Sequence, residues 1–144
     1  MIIEEDIVKG FRSGFDCSMI VLAELAEDVG ITKEQGLRIA SCFGAGMMQG
    51  SLCGAVTGAM MAIGCRFGND IPDDKARKGL VISKRDEFIA AFTERFGTIS
   101  CPALIGLDLR VPEEMEKANE RKVLTDVCPK FVKGAIEICR EQIL

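Results

Sequence analysis

Four cysteines, Cys17, Cys53, Cys101 and Cys128, each fall where a helix should begin. Asp16 can cap a helix just before Cys17, and Ser51, a preferred N-cap residue, places Cys53 in a first turn. Cys101 and Cys128 precede Pro102 and Pro129, and proline is favoured at the first helical position. The residue before proline is pushed out of the α region, so these two should sit at or beside the N-cap, pointing back over the helix mouth. Unpaired N–H groups and the positive end of the helix dipole favour negative charge there, which should lower a thiol pKa from its usual ~8.5. The chemistry within reach is that of thiolates: exchange with disulfides, or ligation of a metal.

Composition removes several alternatives. With His 0 there is no imidazole base for a cysteine-protease-like pair, no histidine haem ligand and no mixed His/Cys zinc site, so any metal centre would be all thiolate. CxxC is absent, which argues against a thioredoxin-like exchanger and a zinc ribbon alike. Separations of 36, 48 and 27 residues mean that only the tertiary fold can bring the four cysteines together. Cys42, Cys65 and Cys139 fall within or near the ends of expected helices and read as packing, since free cysteine behaves as a small buried hydrophobe.

The elements that must position these sulfurs are helical. Ile3, Ile7 and Phe11 recur every four residues; after a break at GFD, Leu22, Leu25 and Val29 share one side of a second helix, which Gly30 can stop. Thr32 and Gln35 have the spacing of a capping box, opening a third helix towards Phe43. The uncharged stretch GAGMMQGSLCGAVTGAMMAIGC, 44 to 65, is long enough to suggest a membrane span, but glycines at intervals of four would each cost about 1 kcal/mol in a helix. It reads instead as a loop, GAGMMQG, followed by a helix whose Ala55, Gly58, Ala59 and Ala62 form a small-residue side for close packing. Met47, Met48, Met60 and Met61 read as core packing. Pro72, Asp73 and Asp74 suit another helix start, and Phe88, Phe92 and Phe96 form a core stripe ending at Gly97. RVPEEMEKANERK, 110 to 122, reads as a solvated loop with a short helix. Val127, Phe131, Ala135 and Ile138 line one face of a terminal helix, leaving Lys130, Lys133 and Arg140 to solvent. No segment alternates as a strand does, so the expected fold is all-α, a single-domain bundle of about five to seven helices over 1–144.

The segments that carry the four cysteines also resemble a known family, the redox-active proteins named for a CGAxxG motif accompanied by three further single cysteines. The motif stands as Cys53-Gly54-Ala55-Val56-Thr57-Gly58, with Cys17 in GFDCSMIVL before it, Cys101 and Cys128 after it, and FGAGM and RFGTISCPALIG alongside. Met19 replaces the glutamine that relatives often carry after the cysteine-serine pair, and Cys42, Cys65 and Cys139 are additional to the motif. The resemblance implies a small, mainly helical protein with electron or thiol redox chemistry, and no particular reaction.

Three readings of function follow. In the first, two or more of Cys17, Cys53, Cys101 and Cys128 converge and cycle through a disulfide, while the loop from Gly44 through Gly46 to Gly50, with Gly54 at the helix start, lets backbone approach the site or a bound cofactor. In the second, the same four thiolates hold an iron–sulfur cluster or a metal ion; otherwise no cofactor is implied. In the third, the chain is a non-catalytic helical interaction domain. The acidic start MIIEEDIVKG does not read as a secretory signal, so the expected setting is cytoplasmic. A net charge of -4 leaves no footprint for nucleic acid or an anionic membrane surface, and the partner expected is a redox partner; self-association through exposed apolar surface is open.

Overall fold

The computed structural model describes residues 2–144, and among them the chain is helical with no strand. Helices α1 (Glu4–Arg12), α2 (Cys17–Val29), α3 (Lys33–Ile39), α4 (Gly54–Phe67), α5 (Lys75–Phe96), α6 (Cys101–Ile105), α7 (Pro112–Glu120), α8 (Val123–Asp126) and α9 (Pro129–Ile138) run in order, and a π-helical turn (Cys139–Ile143) ends the chain. The all-α bundle is the one expected. The single-turn pieces α6 and α8, of 5 and 4 residues, take the helix number past five to seven.

Local signals set most of the boundaries. The Gln35 N–H donates to Thr32 Oγ1 at 3.1 Å while Thr32 N–H donates to Gln35 Oε1 at 2.8 Å, a complete capping box for α3. Asp74 Oδ1 accepts the Arg77 N–H at 2.9 Å to open α5, and left-handed Gly30 and Gly97 close α2 and α5. Helix α3 stops at Ile39 and does not reach Phe43; the Ala40 carbonyl beyond it accepts a 2.8 Å hydrogen bond from the buried Ser18 hydroxyl, which fixes the turn.

The core lies between α2, α4, α5 and α9, around Leu22, Leu25, Val56, Ile63, Phe88, Phe92, Val132 and Ile136. Phe88, Phe92, Phe96 and Phe131 form a run of tilted and edge-on rings with successive centroids 5.8, 4.8 and 5.2 Å apart. Arg140 is exposed, as expected, and from there ties the last turn to α2 through Glu24 at 3.0 Å and Asp28 at 3.1 Å. Met47 and Met48, expected in the core, are exposed because they lie in the loop before α4, while Met60 and Met61 pack at the core's edge.

The uncharged stretch is not a span. Helix α4 has 14 residues, about 21 Å long at 1.5 Å per residue, and no helix among the described residues is long and apolar enough to cross a membrane. Its small-residue side packs on α2 instead. A Cβ at Gly58 would stand 2.7 Å from the Ser18 carbonyl oxygen and 3.0 Å from Val21 Cβ, so the two helices touch backbone to backbone. Gly58→Ala should force them apart and lower stability by about 1–3 kcal/mol, read as a fall in the urea midpoint; an unchanged or raised midpoint would show that the contact is relaxed.

Candidate functional site

Two of the cysteines are paired by backbone. An isolated antiparallel bridge between Leu52 and Ser100 joins the segments entering α4 and α6: Cys53 N–H donates to the Ile99 carbonyl at 2.8 Å, and Cys101 N–H to the Ser51 carbonyl at 2.9 Å. The starts of α4 and α6 therefore lie side by side. Cys53 is itself the N-cap of α4, not a first-turn residue behind Ser51, because Ser51 is drawn into the bridge. Cys101 opens α6 behind Ser100, whose hydroxyl accepts the Ala103 N–H at 3.4 Å. Cys17 opens α2 behind Asp16, whose N–H donates to the Met19 sulfur at 3.4 Å. Cys128 is the N-cap of α9 but has α-region backbone, φ −65° and ψ −31°. The proline bias is overridden there because the chain arrives from α8 already turning: the Cys128 N–H donates to the Val123 carbonyl at 2.9 Å, and its own carbonyl accepts the Phe131 N–H at 3.0 Å.

All four cysteines line one cavity of about 380 Å³. Its walls are largely apolar, from Phe11 and Phe131 of the bundle and from Leu104, Met115, Val123 and Leu124 of α6, α7 and α8; Asp16, Asn119, Lys122 and Thr125 add polar groups. A small second core of Leu107, Ala118 and Val123 holds the α6–α8 wall together.

The CGAxxG motif has a steric reading. A Cβ at Gly54 would overlap the Cys17 sulfur and stand 3.0 Å from Gly44 Cα, so the missing side chain is the space that the sulfur fills. Ala55 and Val56 are fully buried, Gly58 meets α2, and the Thr57 hydroxyl donates to the Phe43 carbonyl at 3.0 Å, closing the loop onto α4. The loop itself runs left-handed: Ala45, Gly46, Met47 and Met48 have φ of 53°, 65°, 59° and 51°. Three of these are not glycine, at roughly 1–2 kcal/mol each, so the surrounding contacts hold a strained strap against the cavity. At Gly46 a Cβ would come within 2.9 Å of Cys101 Cβ; Gly44 makes room for Asp16 and Gly50 for the Arg110 guanidinium, which Asp108 holds at 2.8 Å. The four loop and helix-start glycines thus seat protein groups, two of them cysteines of the site.

Burial reverses the expected acidity. Desolvation, then the nearby Cys17 sulfur, pushes the Cys53 thiol up to about 12, although the Ala55 and Val56 N–H groups at the open turn pull the other way. Cys101 is pushed up to about 11 by burial and by Cys17 and Asp108. Cys128 is raised further, by burial and by repulsion from Cys17, Cys53 and Cys101. Burial also raises Cys17, opposed by backbone N–H groups that include Ala45 and Ser18. Asp16 is raised by burial as well. Helix starts attract charge, but a buried start gives up more in lost hydration than its few N–H groups return.

The structure brings the four predicted cysteines into one cavity and leaves all seven cysteines of the chain unbridged. No group of three or more Cys, Asp or Glu side chains among the described residues is drawn tightly enough to hold a metal ion. Cys139 is fully buried packing, as expected, whereas Cys42 and Cys65 are exposed: one lies just past the shortened α3, the other on the outer side of α4 near its end. Sequence reading missed Lys122 and the α7 wall. The spacing of Val111, Met115 and Ala118 carried the signal, masked by the surrounding charge.

An all-α fold whose helix starts deliver four thiols to one largely apolar cavity is a cysteine-centred helical protein. The chain belongs to the family described as "Putative redox-active protein (C_GCAxxG_C_C)", whose model matches residues 15–142. No curated protein and no solved structure matches the chain.

Proposed function

We propose that the protein carries out dithiol–disulfide exchange at the four-cysteine cavity, with Cys17 as the common sulfur. The observation that supports this most is Cys17's place: it lines the cavity with Cys53, Cys101 and Cys128, its sulfur helps to raise all three of those thiols, and it sits in the gap left by Gly54. The co-reactant is a disulfide. Cys17, as thiolate, attacks one of its sulfurs and expels the other as a thiolate, which takes up the proton that Cys17 released. Cys53, Cys101 or Cys128 then attacks the Cys17 sulfur, forms the protein disulfide and releases the second thiol with its own proton. Two electrons pass to the co-reactant, and the reverse sequence returns them. A reducing compartment such as the cytoplasm would keep the resting site in its thiol form.

Anaerobic purification with metal analysis and an absorption spectrum, then graded oxidation with thiol labelling and mass spectrometry, tests the proposal. The expected protein is colourless and metal-free, and forms one reversible disulfide within the set Cys17, Cys53, Cys101 and Cys128. Cys17→Ser should lower its yield at least tenfold. Stoichiometric iron and sulfide, or zinc, would assign the four sulfurs to a metal centre instead; random pairing would leave an interaction domain with buried thiols.

A further inference from the structure

The walls of the cavity carry information about the co-reactant that the cysteines do not. At about 380 Å³ the space suits a small molecule and not a folded partner. Its lining is mainly aliphatic and aromatic, so a strongly polar disulfide would lose hydration without replacement on entry. Among the described residues one cation lines it, Lys122, an exposed residue at the N-cap of α8. Among the described residues no carboxylate lies in ion-pair range of its ammonium. The acid that lines the cavity, Asp16, belongs to the α2 end beside Cys17. The two charges give the space a polarity: an anionic group is favoured at the α8 end and disfavoured next to the thiols.

We propose that the cavity binds an aliphatic disulfide ending in a carboxylate, with the carboxylate on Lys122, the carbon chain along Leu104, Met115 and Leu124, and the disulfide presented to Cys17. This rests on the exchange reaction proposed above and adds its substrate class. The exchange balances without a further reagent: the substrate's S–S bond breaks, a protein S–S bond forms, and the two thiol protons of the protein end on the two thiols of the product.

Oxidised lipoate is a suitable probe, a ring disulfide on a short alkyl chain with a terminal carboxylate, and lipoamide is its neutral counterpart with the same ring. The rate of oxidation of the reduced protein is measured with lipoate, lipoamide and glutathione disulfide, each divided by the rate of the same disulfide with N-acetylcysteine to remove intrinsic reactivity. Lipoate should exceed lipoamide by about threefold, the scale of one solvent-exposed charge pair, and both should exceed glutathione disulfide. Lys122→Gln should bring lipoate down to the lipoamide rate. Leu124→Glu, a change at an exposed position, should slow lipoate more than lipoamide. Equal normalised rates for the three disulfides, or a lipoate preference that survives Lys122→Gln, would overturn the substrate assignment. The general thiol oxidant diamide separates the two levels: if it closes a specific disulfide while the preferences are absent, the exchange chemistry stands and the substrate class fails, and if it closes none, both fail.

Discussion

Replacing Gly54 with alanine should lower the stability of the reduced protein by about 1–3 kcal/mol, where the same change at an open helical position would raise it by up to ~1 kcal/mol. The severest clash is with one atom, and the backbone of Gly44 and Ser18 comes next at 3.0 and 3.1 Å. The new Cβ would overlap the Cys17 sulfur, which has little freedom to retreat because it is buried between α2, α4 and the strap. If that overlap is the main cause, removing the sulfur should remove most of the penalty, leaving the tight contacts with the Gly44 and Ser18 backbone. Cys17→Ala alone leaves a small void, and Gly54→Ala in that background fills part of it at a much smaller cost than in the wild type. A double-mutant cycle by urea unfolding should therefore show a coupling of about 1–3 kcal/mol between the two sites, within the range for residues in contact. Additive effects would mean that the sulfur and the glycine are independent, and the steric reading of the motif would fail. The single variant also carries a chemical expectation: with the sulfur displaced, the yield of any disulfide through Cys17 should drop even where the fold survives.

Much of this arrangement was legible in the residue order, and the parts that were not share a cause. The capping box of Thr32 and Gln35, the Asp74 cap, the stops at Gly30 and Gly97 and the small side of α4 depend on neighbours within a few residues, and the structure reproduces each. The phenylalanine stripe of α5 was also legible, because helical spacing alone puts those rings on one face. What local pattern did not carry was the environment that the rest of the fold supplies. Cys53 reads as a first-turn thiol until the distant segment around Ser100 pairs with Ser51 and moves the helix start onto the cysteine itself. Its acidity reads as enhanced until the tertiary fold buries it in the main core. Met47 and Met48 read as core because of their hydrophobicity, yet a left-handed strap turns them outward. Lys122 belongs to a charged run that is largely solvated, as it reads, and only the packing of Ala118 and Val123 beside it reveals a wall.

The raised thiols make a second large prediction, in the pH dependence of stability. In the unfolded chain a cysteine ionises near ~8.5; in the folded reduced protein Cys53 is held near 12 and Cys101 near 11. Between those values the folded state binds more protons than the unfolded one, so stability falls as pH rises, by up to ~1.4 kcal/mol per pH unit for each such thiol. The contribution is fully present below the unfolded pKa and is lost progressively on the way to the folded one. Cys53 alone should account for about 3 kcal/mol between pH 8.5 and 11, and Cys101, Cys128 and Cys17 add in the same direction. Urea unfolding followed by far-ultraviolet circular dichroism over pH 7 to 11 measures the slope. With Tyr 0 in the sequence, thiolate absorbance can be read in parallel without tyrosinate beneath it. Two comparisons fix the origin of the effect. A protein oxidised at two of the four cysteines has lost two of the titrating thiols, so its slope should be shallower than that of the reduced form. Ligation by a metal would invert the sign, because thiolates held by a cation titrate below the unfolded value and stability would then rise with pH towards neutrality. A reduced, metal-free protein whose stability is flat from pH 8 to 11 would show that the four sulfurs are not desolvated, and the buried dithiol chemistry would have no basis.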